Sequence, residues 1–312
     1  MNAFDVRIAE IVDEAQDVRS LLLERVDGAD FPAWQPGAHV DLAIRPGLIR
    51  QYSLCGDLAN AKSWRVTILR DPKSRGGSIA IHDDLKAGDI VRLGEVRNNF
   101  PLVDAVDYRL IAGGVGITPF LPIIEQLNAS GKPWHLLYGG RTRASMAFAD
   151  ALESGGNVTV RPEDVYGLLD LAGFIGAYQP GKVVYCCGPE PLLKAVEATC
   201  AGWPEEALQI ERFRAGEEIN HSGDTSFEVE LKHSGQVVTV APGQSIADAL
   251  EELNVHIPRS CNEGTCGTCI TRLLEGTPDH RDSFLRPKQR DEGKRIMACC
   301  SRALSPRLVL DL

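Results

Sequence analysis

Three thiols fall close together at Cys261, Cys266 and Cys269 in a C-x4-C-x2-C spacing, and a fourth, Cys299, follows some thirty residues later. This spacing suits a [2Fe-2S] cluster, in which each iron takes two thiolates, so one tight loop supplies three and a distant segment supplies one. Gly264 and Gly267 lie between the thiols, where a backbone without side chains can approach inorganic sulfide and aim N–H groups at it. A structural zinc site is the competing chemistry. Such sites usually pair two short C-x2-C knuckles, and this stretch holds one. Cys300 stands next to Cys299 as the reserve choice for the fourth ligand.

Two further stretches carry chemistry. Arg50-Gln51-Tyr52-Ser53-Leu54 sets Arg50, Tyr52 and Leu54 on one face of a strand and Gln51 and Ser53 on the other. A cation, an aromatic ring and a hydroxyl within four residues suit a flavin: charge for phosphate, ring for stacking, hydroxyl for the redox-active ring nitrogen. Downstream, Arg75-Gly76-Gly77-Ser78 precedes a helix expected over 79–85, with Ser78 as its N-cap and free N–H groups for a phosphate. The other stretch is the loop at 113–119, Gly-Gly-Val-Gly-Ile-Thr-Pro, between a buried-type strand and a helix. It departs from G-x-G-x-x-G because Pro119 stands where the third glycine belongs. Gly114 and Gly116 still permit close backbone approach, and a proline in the first helical turn leaves neighbouring N–H groups free for pyrophosphate. Cys187-Gly188-Pro189 ends a later strand, so both loops can open into one crevice at strand carboxyl ends. Cys187 is placed to touch a nicotinamide ring, and Cys186 to point away and pack. Arg141 and Arg143 could pair with an extra phosphate on the nucleotide, line the diphosphate, or belong to a solvated face.

The elements that must position these residues follow from periodicity. Short alternating segments at 4–12, 20–25, 39–44, 51–54, 64–69 and 90–93, broken by Gly, Pro and Asp, predict an antiparallel barrel. From Tyr108 the period changes: apolar strands at 109–112, 134–138, 158–160, 183–187 and 208–213 alternate with helices, which predicts a parallel sheet with crossovers. Residues 214–226 are polar and glycine-containing and read as a linker able to span roughly 40 Å when extended. A hairpin-like pair at 227–232 and 237–240 follows. Next come a helix at 246–253 capped by Ser245, a strand at 270–274 leaving the cysteine loop, and a charged segment at 281–291 expected to be exposed.

Length and composition bound the rest. The 312 residues leave room for two or three domains, and the segments favour three. Hydrophobic residues make up 44% and charged residues 24%, as in ordinary globular chains. The net charge of -10 is concentrated before Thr225, which argues against nucleic acid as a partner. Nine cysteines, no leader-like start and no apolar run of membrane-spanning length point to a reducing cytoplasm and no membrane. Cys55, Cys186 and Cys200 read as small buried hydrophobes.

In this order the motifs resemble the phthalate dioxygenase reductase family, the reductase components of Rieske-type oxygenases and demethylases such as the vanillate demethylase system. The resemblance runs over essentially the full length. It rests on Arg50 to Leu54, Gly76 to Ser78, the stretches 82–89 and 97–102, the glycine loop, Cys187 to Pro189 and the cysteine loop. It implies a multidomain chain: an FMN-binding antiparallel β-barrel of ferredoxin-reductase type at 1–103, an α/β parallel-sheet NAD-binding domain at 104–213, a linker at 214–226, and an α+β, β-grasp, plant-type [2Fe-2S] ferredoxin domain at 227–312. Position by position, it implies that Arg50 and Ser78 hold the FMN phosphate beside Gly76 and Gly77. Tyr52, Ser53 and Leu54 would lie at the flavin ring, with Phe213 covering its other face until nicotinamide arrives. Gly114, Gly116, Thr118, Pro119, Cys187, Gly188 and Pro189 would bind NADH, Ser53 and Cys187 standing at the reacting atoms. Cys261, Cys266, Cys269 and Cys299, which match the family spacing, would hold the cluster. FAD is the alternative flavin, and NADH is favoured over NADPH on the resemblance. The implied activity is NADH-dependent electron transfer through FMN and the cluster to a terminal Rieske-type oxygenase, by a monomer. A self-contained reductase of a small substrate and a redox-sensing binding protein are the alternatives.

Overall fold

Alternation of apolar and polar residues lays down six antiparallel strands: β1 (Phe4–Ala15), β2 (Val18–Arg25), β3 (Ala38–Arg45), β4 (Leu48–Ser53), β5 (Trp64–Leu69) and β6 (Ile90–Asn98). Their sheet order is β4-β3-β6-β1-β2-β5, and a bridge from Leu54 to Val66 joins the two edges, so the sheet curls into the expected barrel. Val6, Ile8, Leu21, Leu23, Val40, Leu42 and Trp64 fill its interior. Helix α1 (Gly77–Asp83) lies against β3, β4 and β5. The computed structural model describes residues 3–74, 76–214 and 220–312. Arg75 of the expected phosphate loop and residues 215–219 of the expected linker lie outside the described residues.

The change of period after Tyr108 gives five parallel strands: β7 (Asp107–Gly113), β8 (Trp134–Gly140), β9 (Val158–Pro162), β10 (Lys182–Cys187) and β11 (Leu208–Glu211). They run in the order β11-β10-β7-β8-β9. Crossover segments carry α2 (Phe120–Ser130), α3 (Ala149–Glu153), α4 (Glu163–Tyr166), α5 (Leu171–Ile175) and α6 (Glu190–Thr199). Both sheet faces are covered. Leu110, Ala112, Tyr185 and Cys187 pack with Phe120 on one face; Ile111, Val184 and Cys186 pack with Leu193 on the other, which is the packing role expected of Cys186. The last strand is shorter than expected. Glu211 pairs with Cys187, the final residue of β10, so no neighbouring backbone remains for residues 212–213 and Phe213 stands beyond the sheet. The connection from barrel to sheet is fastened by phenols. Tyr185 donates to the Pro101 carbonyl at 2.9 Å and accepts from the Val103 N–H at 2.7 Å, while Tyr108 donates to the Val103 carbonyl at 3.0 Å. Barrel and parallel sheet form one compact unit, Met1–Glu211, and Arg212–Leu312 forms a second.

The second unit is a mixed sheet in the order β13-β12-β18-β14-β16. Its strands are β12 (Phe227–Leu231), β13 (Val237–Val240), β14 (Ile270–Glu275), β16 (Arg295–Met297) and β18 (Arg307–Leu310), with a small pair formed by β15 (Pro278–Asp279) and β17 (Arg302–Ala303). Helix α7 (Ile246–Glu251) buries Ile246, Ala247, Ala249 and Leu250 against this sheet; a short α8 (Pro287–Asp291) precedes β16. Ser245 caps α7 as expected, accepting from the Asp248 N–H at 3.0 Å. The segment 281–291 meets expectation only in part: Arg286, Pro287, Lys288 and Asp291 are exposed, but Asp282 and Leu285 are only 5% and 3% exposed. The expected linker also differs. From Asn220 onward it is bound to the second unit, because Arg281 donates to the Asn220 carbonyl at 3.1 Å and Arg302 to the Thr225 carbonyl at 3.0 Å.

Between these arginines the Asp224 carboxylate is 1% exposed, 2.8 Å from Arg281, 3.3 Å from Arg302 and 3.0 Å from His221. Burial alone would raise its pKa, but hydrogen bonds from Arg281, His221 and the Gly243 N–H outweigh that and hold it down at about 2. A carboxyl held below its ordinary value stabilises the fold above that value, and the contribution disappears as pH falls towards the folded-state pKa. The second unit is therefore expected to lose this stabilisation between about pH 4 and pH 2. Asp224→Ala is expected to cost about 3 kcal/mol at neutral pH by removing the only carboxylate beside the buried Arg302 guanidinium among the described ion pairs, leaving it backbone carbonyls alone. Urea unfolding of wild type and variant at both pH values checks both statements.

Candidate functional site

The first group of expected site residues converges where β4 meets α1. A side chain on Gly77 would overlap Arg50, whose Cγ lies 2.6 Å from the Cβ position, so glycine lets the Arg50 side chain lie along the helix start. Sequence reading missed Arg45, the last residue of β3, whose Nη2 stands 4.0 Å from the Gly76 Cβ position. Its signal was the Pro46-Gly47 turn, which brings the end of β3 back beside β4. Ser78 is not the cap. Gly76 occupies that position at φ 90°, a conformation that favours glycine, and Ser78 lies in the first turn with its hydroxyl accepting from the Asp71 N–H at 3.1 Å. Tyr52 is largely buried, which pushes its phenol pKa up. Leu54 belongs to the barrel core. Ser53 is 5% exposed, and its hydroxyl has no partner among the described residues. An aromatic face, an orphaned hydroxyl and two guanidiniums fit a flat, polar-edged ring carrying a phosphate.

The second group sits at the switch point of the parallel sheet. β7 and β10 are neighbours, but the chain continues from β7 to β8 on one side and from β10 to β11 on the other, so the loops at their carboxyl ends part around a crevice. The two loops expected to share that crevice touch. A Cβ on Gly116 would lie 2.3 Å from the Cys187 carbonyl oxygen, and one on Gly113 would lie 2.6 Å from Pro189 Cδ. Gly116 thus serves loop packing, whereas Gly114, at φ 55°, has nothing within 4 Å and faces open space. A single 3-10 turn over Gly114–Ile117 leads through Thr118 to Pro119, which caps α2 instead of lying in its first turn. Thr118 is buried and donates to the Val115 carbonyl at 3.0 Å. Gly188 packs on the Gly113 backbone. Arg143 is engaged by Asp150 and by Glu153, the latter at 2.8 Å, while Arg141 is exposed. Phe213 is 42% exposed.

Glu211 is a second residue that sequence reading passed over. It pairs with Cys187 across β10 and β11, and burial pushes its carboxyl up to about 8, against a smaller opposing effect of the hydrogen bond from the Cys187 thiol. Burial, then the Glu211 charge, keeps the thiol neutral as well. One Glu211 oxygen, Oε2, has no hydrogen-bond partner among the described residues. Only pairing β10 with β11 reveals this carboxyl, since in the sequence it is one acidic residue among many.

The third group is the cysteine loop of the second unit. Asn262, Gly264 and Gly267 adopt φ values of 55°, 71° and 76°, turning the chain tightly about the thiols. Backbone N–H groups already aim at sulfur: Glu263 and Thr265 donate to Cys261 Sγ at 3.3 and 3.4 Å, and Thr268 to Cys266 Sγ at 3.5 Å. The two glycines serve packing more than sulfide approach. A Cβ on Gly267 would meet the Phe284 ring at 2.4 Å, and one on Gly264 would meet Cys300 Sγ at 2.6 Å. Asp282 braces the underlying turn, accepting from the Leu285 N–H at 2.7 Å. Pairing of β14 with β16 brings Ala298 to the Cys269 carbonyl, which accepts its N–H at 3.2 Å, and so sets Cys299 beside Cys269. Cys299 and Cys300 border a cleft of about 280 Å³. The Cys266 thiol is pushed up by its hydrogen bond with Cys261 and then by burial, so iron must displace protons as it binds. Among the described residues no three His, Cys, Asp or Glu side chains converge as a single-ion chelate. A two-iron cluster asks instead for two pairs of thiolates set apart. The donor set and the inward N–H groups fit it.

The pattern of the 2Fe-2S iron-sulfur cluster binding domain matches residues 229–304, and that of the oxidoreductase NAD-binding domain matches residues 110–161. Fold and site therefore define an oxidoreductase that joins a nicotinamide-nucleotide sheet to an iron–sulfur domain. The chain is 38% identical to vanillate O-demethylase oxidoreductase of Pseudomonas sp. (strain HR199 / DSM 7063) over 96% of each protein. It is 37% identical to phthalate dioxygenase reductase of Burkholderia cepacia, over 98% of this chain and 97% of that one. The solved structure of phthalate dioxygenase reductase covers 100% of this chain and 98% of its own at a TM-score of 0.74 and 36% identity. The chain belongs to the phthalate dioxygenase reductase family. An intact type IV self-sufficient cytochrome P450 monooxygenase is similar over 99% of this chain at a TM-score of 0.90 and 39% identity, and there this chain spans only 41% of the longer protein. Among the described residues no helix is long and apolar enough to cross a membrane.

Two substitutions separate the glycine roles. Gly116→Ala is expected to lower the stability of the first unit by about 1–3 kcal/mol through overpacking against Cys187. Gly114→Ala is expected to cost about 1–2 kcal/mol for its left-handed backbone, and in addition to weaken NADH binding about tenfold by narrowing the crevice. Urea unfolding and NADH titration read the two effects. Glu211 supplies a pH test of opposite sign to Asp224. With its folded pKa raised, Glu211 is expected to contribute stability that is lost as pH rises from about 4.5 to about 8, so the stability of wild type relative to Glu211→Gln is expected to fall over that range.

Proposed function

We propose that this chain is the NADH-dependent reductase component of a Rieske-type oxygenase or demethylase system, passing electrons through FMN and a [2Fe-2S] cluster to a separate terminal oxygenase. The observation that carries the reading is the coexistence, in one chain, of the Ser53 barrel site, the switch-point crevice between Gly113 and Cys187, and the cysteine loop. We assign these to a flavin domain at 1–103, an NAD domain at 104–213 and a ferredoxin domain at 227–312, joined through 214–226. The similarity to vanillate O-demethylase oxidoreductase and phthalate dioxygenase reductase supports the assignment to an oxygenase system.

When bound, FMN turns a two-electron hydride into single electrons and the cluster carries them one at a time. The chain's own residues hold, orient and shield. Arg45 and Arg50 supply positive charge for the flavin phosphate, and Tyr52 and Ser53 present a ring face and a hydroxyl to the flavin ring. Gly114 leaves room for pyrophosphate, with Thr118 and Pro119 shaping the floor of the crevice. Cys187 and Glu211 are both uncharged at neutral pH, so they close the reacting end of the crevice without a charge that would compete for the hydride. Arg143 is held by Asp150 and Glu153 while Arg141 stands exposed at the end of β8, so the preference for NADH rests on the family resemblance. In the second unit, N–H groups aimed at Cys261 and Cys266 stabilise negative charge on the ligands. The nine cysteines of the sequence suit a reducing cytoplasm, where we expect a monomer.

Cys266→Ser is expected to leave NADH-dependent ferricyanide reduction at the flavin within about twofold of wild type, and to lower cytochrome c reduction through the cluster at least about a hundredfold. Equal loss of both with flavin still bound would contradict the order of carriers.

A further inference from the structure

Beside Ser53 lies a buried group that the reading above leaves idle. His39 is 6% exposed, and neither ring nitrogen has a partner among the described residues. It stands directly opposite Ser53 in the β3–β4 register. Residues directly opposite in an antiparallel pair share a face, with Cβ atoms about 4.5–5.5 Å apart. Two buried side chains, each without a hydrogen-bond partner among the described residues, therefore sit together, near enough for a side-chain rotation to join them.

The charged groups facing the imidazole are Asp41, two residues along β3, and Arg97, opposite His39 on β6; they are tied to each other at 2.6 Å. On β4 the neutral Gln51 side chain donates to Asp41 at 3.0 Å. Burial, then the Arg97 charge, holds the imidazole down at about 4 against the pull of Asp41, so it is neutral at physiological pH. A neutral imidazole can take a proton at one nitrogen while releasing one from the other.

We propose that His39 is a positioning residue for Ser53 and relays a proton between the Ser53 hydroxyl and water. The inference rests on the reading that places the flavin at Ser53. NADH oxidised to NAD+ gives up a hydride, that is two electrons and one hydrogen nucleus. Both electrons leave singly, through the cluster, to an external one-electron acceptor, so one proton per NADH must return to solvent. In the relay, Ser53 Oγ takes up that proton as its own passes to one ring nitrogen of His39. The N–H bond at the other nitrogen breaks and its proton goes to water. Return of the ring to its starting tautomer resets the pair.

The test uses the flavin-loaded full-length protein as wild type, His39→Gln, His39→Gly and Ser53→Ala. Flavin content, NADH affinity and electron delivery through the cluster to cytochrome c are measured from about pH 6 to pH 9 in water and in deuterated water. His39→Gln is expected to keep its flavin and its NADH affinity, to deliver electrons about tenfold more slowly, and to show a larger solvent isotope effect. Added imidazole is expected to restore part of the rate in His39→Gly. In wild type, nitrogen NMR should show a neutral His39 throughout that range, with one ring nitrogen shifted by flavin loading. An unchanged rate and isotope effect in flavin-replete His39→Gln, loss of flavin from that variant, or a His39 that titrates near its ordinary value would each overturn the relay. Ser53→Ala with unaltered flavin absorbance and affinity would instead refute the flavin's placement, which keeps the two failures distinguishable.

Discussion

Polar groups sealed from water without partners are the constraint on which the first unit is organised. Among the described residues Ser53 Oγ, Glu211 Oε2 and both His39 nitrogens are in that state, and such groups destabilise a fold unless a ligand or water completes them. They lie on strands whose other residues are committed to packing, as Val40 and Leu42 are beside His39. Barrel and parallel sheet thus hold these groups still, where a bound cofactor could complete them. The second unit meets the same constraint with sulfur, where buried thiols are already solvated by backbone N–H groups before any iron is considered.

Rigidity around these groups comes from contacts too tight for a single methyl group. Gly116 against the Cys187 carbonyl locks two loops of the parallel sheet, and Gly267 against Phe284 locks the cysteine loop to the turn braced by Asp282. Interiors packed this closely transmit small displacements, so each loop depends on residues well outside it. The Asp224 cluster with Arg281 and Arg302 plays a comparable part at the entry to the second unit, fixing residues that composition alone marks as free linker.

Much of this was legible in the sequence because it is local. The cysteine spacing, the alternation along β3 and β4, the strand–glycine–helix pattern at Gly113 and the Ser245 cap each lie within a few residues. What escaped depends on pairing. Arg45 reaches Gly76 only because β3 and β4 form a hairpin, Glu211 meets Cys187 only because β11 lies beside β10, and His39 meets Ser53 only through the register of two strands. Ser78 was misread as a cap because serine favours that position in general; here the left-handed backbone at Gly76 took it. The exposed reading of 281–291 failed at Asp282, which is charged yet buried, its lone pairs filled by backbone N–H groups.

The central claim is that one chain carries electrons from a nicotinamide through a flavin to an iron–sulfur cluster. Its most direct measurement is an anaerobic titration of the purified protein with NADH, followed by absorbance and electron paramagnetic resonance. The account predicts bleaching of both flavin and cluster bands, complete at about one and a half NADH per chain, with a reduced [2Fe-2S] signal appearing. Bleaching of the flavin alone, with the cluster left oxidised under excess NADH, would contradict it.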